Sequence, residues 1–280
     1  MALNASDPTK YGAVPDCVPF YGGHCHLPSS PSWGQAYPSL ANWVFEYYND
    51  VDLAQKHYPY VKLYADSLTA RARVNDKQNQ TLLDTGGWGD WCAPSGNIAK
   101  SGCGGTGTCG GSHDYISTVR IVKSWAGALG YDKDLKVYTA LEAKIKEAFD
   151  WAYFSDGSAD TAGGKNAVRK PTKSGYTCST TRPQTANALG LQVTPSAVAL
   201  AALVADVEAK GNHLDTGIVG TKWLLESLGE NGRADVALAI LQTTTYPGYG
   251  YWLSQGGTSL WETWEGEKHA PLSSWNHASE

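Results

Sequence analysis

Residues 115–149, YISTVRIVKSWAGALGYDKDLKVYTALEAKIKEAF, carry two apolar stripes separated by a glycine. Tyr115, Val119, Val122, Ala126 and Leu129 recur at steps of three and four, as one face of an α-helix requires, and Gly130 ends the pattern. Leu135, Tyr138, Leu141, Ile145 and Phe149 repeat it, with Asp132 or Asp134 where a helix begins. The same period organises the rest of the chain. Tyr37, Leu40, Val44 and Tyr47 form one stripe, and after Asn49-Asp50 another carries Val61, Tyr64 and Leu68. Gln184 to Leu191 predicts a short helix. Thr194-Pro195 opens a long one through Lys210, closed by Gly211, with Val198, Ala201, Ala202 and Ala205 expected to face inward. Thr221 to Leu228 and Gly232 to Gln242, split by Gly229-Glu230-Asn231, predict an αα-hairpin. No run of alternating strands occurs, so the class is all-α.

Between the helices lie long loops. Residues 1–34 are rich in Pro, Gly and Ser, residues 75–112 form a Gly-rich interruption, and residues 155–182 are a polar loop. Solenoids have short, regular loops and a fixed period, and neither is present. Helix pairs followed by long Gly- and Trp-rich loops suit a closed ring of hairpins that presents its loops at one rim. A toroidal αα barrel is the expected architecture.

The 280 residues suffice for one large domain or two small ones. With 42% apolar and only 18% charged residues, the chain has the content of a packed core and not of a disordered segment. Net charge is −5, and the 22 Lys and Arg are scattered, which argues against a nucleic-acid or anionic-membrane partner. No stretch approaches the ~20 apolar residues of a membrane helix. The aromatics are lopsided: 11 Trp and 16 Tyr against 4 Phe. Rings with a polar handle suit half-wet clefts, and a carbohydrate ligand fits that composition.

Six cysteines, all in loops, suit disulfides in an oxidising space. Cys17 and Cys25 are eight apart, Cys103 and Cys109 six apart, and Cys92 and Cys178 stand alone. Free thiols remain open as an alternative. So does a zinc site near His24, His26 and His113, although no Cys-x-x-Cys pair occurs. Sequons at Asn4 and Asn79 agree with an extracellular setting, while Met1 to Lys10 lacks the layout of a signal peptide.

Three loops collect the tryptophans and isolated acids: Pro31 to Gln35, Asp84 to Trp91, and Tyr249 through Gly266. Indole faces can stack on the C–H face of a sugar, and acids among indoles have the surroundings that proton transfer needs. Packing of helix ends is the competing explanation. Glu262 and Glu265, three apart, would share a helix face and could simply be solvated. Both are flanked by tryptophan, however. The polar run Gly266-Glu267-Lys268 marks Glu265 as the exposed member and Glu262 as the buried one. On the residues alone His277 is an ordinary histidine near a chain end, and His113 and His213 are structural. No Gly-x-Ser-x-Gly elbow or phosphate-binding loop occurs, and the Gly-rich run around Cys103 lacks the Lys and the apolar helix of the latter.

An ordered set of motifs now carries a resemblance. It comprises Trp33 in Pro-Ser-Trp-Gly, Gly89-Asp90-Trp91, Gln184-Thr185-Ala186, Gly217 to Thr221, Gln242 to Pro247, Gly250-Tyr251, Gly256 through Glu262, and Asn276-His277. Together they resemble the catalytic domain of the inverting α-L-rhamnosidases, the six-hairpin type of glycoside hydrolase family 78, over nearly the whole chain. The resemblance implies an (α/α)6 toroidal barrel, incomplete here at about ten of twelve helices, with residues 1–280 as one partial catalytic domain and no second domain. It implies hydrolysis of terminal non-reducing α-L-rhamnose by inversion; no cofactor is expected, and no metal-ligand set is assigned. Glu262 matches the general base. Trp33 and Trp91 match the walls of the rhamnose pocket, His277 a substrate contact, and Asp90 a group that orients its loop or a sugar hydroxyl. Trp261, beside the base, joins the substrate-binding set.

Two departures stand out. The family's general acid lies in an Asp-Glu-Arg, Gly-Trp, Gly-Asp motif ahead of the Trp33 helix, and no such motif lies before Trp33 here; Gly87-Trp88-Gly89-Asp90 follows that helix and lacks the Glu-Arg, so the acid is missing and low activity is expected. Gln35 stands where the family usually has Asp. The chain also stops just past His277, before the family's last barrel helix and β-sandwich. A non-catalytic rhamnose-binding fragment and another αα-toroid glycosidase or polysaccharide lyase are the alternatives.

Overall fold

The computed structural model describes residues 7, 10–20, 25–75, 82–83, 89–94, 108–155, 175–178, 182–266 and 274–276. They form two compact units, the first from residues 1–87 and 110–149, the second from residues 88–109 and 150–280. Among the described residues the regular secondary structure is helical apart from one two-stranded pair. No helix among them is long and apolar enough to cross a membrane.

In the first unit a four-residue helix, α1 (Pro31–Gly34), leads into α2 (Ala36–Tyr48), and α3 (Val51–Asn75) comes next. Asn49 ends α2 in the left-handed region at φ 52°, and the Asp50 carboxylate caps α3 by accepting the Leu53 N–H at 2.8 Å. α3 buries Ala54, Tyr58, Val61, Ala65, Leu68 and Ala72, a stripe that includes the predicted Val61 and Leu68. α4 (Thr108–Ala128) and α5 (Asp132–Tyr153) supply most of the remaining core. Tyr115, Val119, Val122 and Ala126 of the first predicted stripe are buried, as are Tyr138, Ile145 and Phe149 of the second. Each buried Val, Leu, Ile or Phe among them contributes roughly 1.5–3 kcal/mol.

Tyrosine hydroxyls finish what the apolar contacts begin. The Tyr58 hydroxyl on α3 donates to Asp134 on α5 at 2.8 Å, and the Tyr138 hydroxyl on α5 donates back to Asp66 on α3 at 2.5 Å. Burial first, then the neighbouring carboxylates, push both phenols far above their ordinary value, so they stay neutral donors. On α4, Trp125 is fully buried and its indole N–H reaches the Asn42 side chain at 3.0 Å.

That bond explains one departure from expectation. α2 does not bury the stripe of Tyr37, Leu40, Val44 and Tyr47; it buries Pro38 and Asn42, while Leu40 is 57% and Tyr47 80% exposed. The helical period holds and the expected face does not, because the inward position holds an amide that serves the Trp125 indole. A second departure is the start of α4. It begins at Thr108, inside the expected Gly-rich interruption and directly after the run around Cys103. Gly111 packs against Pro31 and Leu83 there, and the Ser112 hydroxyl bonds both the N–H and the C=O of Leu83.

In the second unit α6 (Pro183–Val193) is buried along nearly its whole length, with α7 (Ala197–Ala209) and α8 (Ile218–Glu230) packed on it. Its polar residues are paired. The Gln184 amide donates to His213 O and accepts the Asp215 N–H, while the Asn187 carbonyl accepts the Tyr176 N–H at 2.8 Å. β1 (Phe154–Ser155) pairs antiparallel with β2 (Gly175–Tyr176), a short sheet absent from the sequence expectation of a polar loop. α9 (Ala234–Gln242) completes the predicted hairpin with α8, and α10 (Tyr249–Ser254) lies beyond it in the chain.

α7 is capped by the Ser196 hydroxyl, which accepts the Ala199 N–H, and not by Thr194-Pro195. It buries Ala199, Leu203, Val204 and Val207, whereas Val198, Ala201 and Ala205 are exposed and Ala202 is half-buried. Residues 197–205 are apolar almost all round, so several faces compete and the larger side chains win.

Cys17 pairs with Cys25 and Cys109 with Cys178, and Cys92 is also disulfide-bonded. The spacing pair Cys103 and Cys109 is therefore not used: Cys109 instead closes a separation of 69 residues.

Two glycines of this unit have opposite surroundings. A Cβ on Gly190 would lie 2.1–2.5 Å from the Tyr176 ring, which is buried and held by Asn187 and by Asp150, whereas a Cβ on Gly229 would meet nothing within 4 Å. Gly190→Ala is expected to destabilise by about 1–3 kcal/mol through overpacking, and Gly229→Ala to stabilise by up to about 1 kcal/mol through helix propensity. Urea unfolding measures both; equal effects would contradict this packing.

Candidate active site

The second unit brings together the 89–94 turn, the start of α8 and the Trp-Glu block of residues 261–266. Asp90 is the joint. One carboxylate oxygen accepts the Thr185 hydroxyl and the Gly217 N–H at 3.0 Å, and the other accepts the Gly220 N–H at 2.8 Å. Gly217 and Gly220 are the N-cap and third position of α8, so a negative charge sits where the helix has unpaired N–H groups and the positive end of its dipole. Burial pushes the Asp90 carboxyl up, while the Gly217 N–H, the Thr185 hydroxyl, the Gly220 N–H and the charge of Arg182 pull it back. The glycines are required by approach distance. A Cβ on Gly217 would lie 2.1 Å from Trp91 O, and one on Gly220 would lie 2.3 Å from the Thr185 hydroxyl.

The turn is then fastened beyond Asp90. The Ile218 N–H donates to Trp91 O at 2.8 Å, and the Arg182 guanidinium donates to Pro94 O while pairing with Asp215. So held, Trp91 points its indole N–H at Glu262 Oε1, 3.1 Å away. The other oxygen, Oε2, accepts the Ser274 N–H at 2.8 Å, and the Glu262 N–H donates in return to Ser274 O at 3.0 Å. Glu262 is half-buried. A carboxylate with one N–H on each oxygen and remaining access to solvent can accept a proton from water.

Residues 261–266 are not helical. Trp264 is fully buried and stacks on Trp252 at 4.2 Å and 9°, with its N–H on Thr216 O; the Trp252 N–H is on Thr263 O. Glu265 is 1% exposed and accepts the Tyr246 hydroxyl at 3.0 Å. The sequence expectation for the two acids is thus reversed: Glu265 is the buried one and Glu262 the accessible one. Helical spacing does not apply to an irregular segment: the Tyr246 hydroxyl donates to the Glu265 carboxylate and the Tyr251 hydroxyl to its backbone carbonyl.

Of the other expected site residues, Asp90 orients its loop. Its oxygens accept the Thr185 hydroxyl and the N–H groups of Gly217 and Gly220. Trp261 is buried, with Trp275 edge-on at 4.9 Å and Trp252 tilted at 5.9 Å, so it packs instead of offering an open face. His277 lies outside the described residues. Trp33 belongs to the first unit, half-buried on α1. Its neighbours anchor α1 to α4: the Ser32 hydroxyl donates to Asp114 at 2.6 Å, and Thr118 donates to the Gln35 side chain at 2.5 Å. Among the described residues no group of three His, Cys, Asp or Glu could hold a metal. Sequence reasoning missed Thr185 and the backbone of Ser274. Two glycines three apart opening a helix, Gly217 and Gly220, were the available signal for an acid at its N-terminus.

Residues 2–280 match the family model of the bacterial alpha-L-rhamnosidase six-hairpin glycosidase domain. The chain belongs to this family. An α-L-rhamnosidase of Streptomyces avermitilis is 30% identical over 286 residues, 96% of this chain and 24% of its own length. One from Alteromonas sp. (strain LOR) is 27% identical over 96% of this chain and 28% of its own. Among solved structures, the α-L-rhamnosidase from Dictyoglumus thermophilum superposes with a TM-score of 0.79 at 27% identity over 98% of this chain and 28% of that one. The S. avermitilis α-L-rhamnosidase complexed with L-rhamnose does so with a TM-score of 0.72 at 26% identity over 97% of this chain and 24% of that one. The chain therefore spans about a quarter of the length of these relatives. Family membership bears out the fold class, the all-α toroid expected from the helical pattern and the six-hairpin type implied by the resemblance.

If Asp90 secures this six-hairpin segment, Asp90→Ala leaves two N–H groups and a hydroxyl without their acceptor. A loss of roughly 2–4 kcal/mol in urea unfolding is expected. A loss under about 0.5 kcal/mol would show that the clamp bears no load.

Proposed function

We propose that the chain serves α-L-rhamnoside hydrolysis with inversion, and that Glu262 is the general base. The observation that carries this reading is the Glu262 carboxylate, accessible to solvent and held at both oxygens by N–H donors, in a chain of this family. Inversion needs a carboxylate that deprotonates water for attack on the anomeric carbon, and a second carboxyl that protonates the departing oxygen. Glu262 does the first. The family's Asp-Glu-Arg motif for the second does not occur in the 280 residues, so the reading assigns this chain the base alone. Trp91 is assigned an apolar face that suits the 6-deoxy methyl of rhamnose, and by family resemblance Trp33, in the first unit, is assigned a substrate-contacting indole and His277 a contact to the sugar hydroxyls. The substrate is a terminal rhamnose on a glycoside or polysaccharide. The disulfides suit an extracellular setting.

With an aryl rhamnoside whose nitrophenolate leaves without protonation, the chain is expected to release β-L-rhamnose, read by NMR before mutarotation. Glu262→Ala is expected to lower kcat by ~10²–10⁴. Release of the α-anomer would overturn inversion. Comparable turnover of an alkyl rhamnoside, whose leaving group does need a proton, would overturn the assignment of the base alone.

A further inference from the structure

We infer that Trp91 is the positioning residue of Glu262, acting through its indole N–H and not only through its ring face. The inference rests on the proposed role of Glu262 as base and adds a second role to Trp91. A glutamate has three rotatable side-chain bonds, and fixing one that is otherwise free costs rotamer entropy. Here both oxygens are addressed by donors that are themselves fixed. Ser274 is locked to Glu262 by the return bond between their backbones. Trp91 is locked at its carbonyl by the Ile218 N–H, and through Asp90 by the first turn of α8.

The two donors are not equivalent. Ser274 contributes a backbone N–H that any residue but proline supplies. The Trp91 N–H is a property of the indole, since phenylalanine or tyrosine at that position would keep an aromatic face and place no donor on Oε1. Removing it frees one oxygen and lets the carboxylate turn about the remaining bond to Ser274. Glu265, three residues further on, offers no substitute, because it is buried and its carboxylate accepts the Tyr246 hydroxyl. Trp91 therefore joins two requirements in one side chain: a flat face for a sugar ring and a donor that aims the base.

Two measurements on the intact chain test this. In the ¹H–¹⁵N spectrum the Trp91 indole resonance, assigned by its loss in Trp91→Phe, is expected to move upfield in Glu262→Gln, because a hydrogen bond to a charged acceptor becomes one to a neutral amide. On nitrophenyl rhamnoside, Trp91→Phe is expected to lower kcat roughly ten- to hundredfold with KM within about twofold, since the ring face remains while a charge-assisted bond is lost. Trp125→Phe, which also removes a buried indole N–H bond but in the other unit, controls for lost stability and should leave the Trp91 resonance and kcat unchanged. An unmoved Trp91 resonance in Glu262→Gln, or a Trp91→Phe variant that raises KM alone, overturns the inference. A chain that releases no rhamnose refutes the proposed function, and the indole resonance then decides the positioning role by itself.

Discussion

A carboxylate leaves water only where donors replace the water it loses, and Asp90 meets that condition by occupying the start of a helix. Thr185 and the N–H groups of Gly217 and Gly220 converge on its two oxygens. The geometry of the Trp-Glu block depends on that convergence. It brings the 89–94 turn against α8 so closely that a methyl group on either glycine has no room. It sets the Trp91 carbonyl under the Ile218 N–H, and with the backbone so fixed the indole reaches Glu262. Charge, helix dipole and the absence of two Cβ atoms act as one device.

The excess of tryptophan and tyrosine over phenylalanine has a wider use than a sugar cleft. In the first unit, reciprocal tyrosine–aspartate bonds link α3 and α5, and the Trp125 indole bonds Asn42. In the second, Trp252 and Trp264 stack while their N–H groups satisfy the carbonyls of Thr263 and Thr216. Each ring buries a large apolar face and also neutralises a polar group that would otherwise be stranded, at about 1–3 kcal/mol for each group spared. A phenylalanine could do the first task alone. Much of the composition that suggests a carbohydrate ligand is thus accounted for by the core.

The helices were legible because apolar residues at steps of three and four leave a pattern that does not depend on tertiary context. α3, α4 and α5 bury most of the residues their stripes nominate. The pattern failed where its premise failed. α2 turns inward an amide that packs by hydrogen bonding, and α7 has small apolar residues on every side, so neither announces its buried face. The site was legible as a set of motifs in order, and its long-range bonds were not. Nothing local to Ser274 marks its N–H as a partner of a carboxylate twelve residues earlier. Cys109 likewise lies near Cys103 in sequence and pairs with Cys178.

The reversal at Glu262 and Glu265 sharpens what a general base requires. Burial alone suggests Glu265, with Trp264 beside it and a tyrosine hydroxyl on its carboxylate. Its neighbour Tyr251 has its phenol pushed up by burial and by the Glu265 charge. Glu265 is 1% exposed and its carboxylate holds the Tyr246 hydroxyl on one oxygen. Glu262 gives up the dry surroundings and keeps access to solvent. Its N–H partners approach from the protein side, one on each oxygen, and the remaining lone pairs are available to solvent. Two acids three residues apart are in this way assigned different work by the irregular path of the chain between them: one ties the block to the aromatic core, and the other is presented, already oriented, to water.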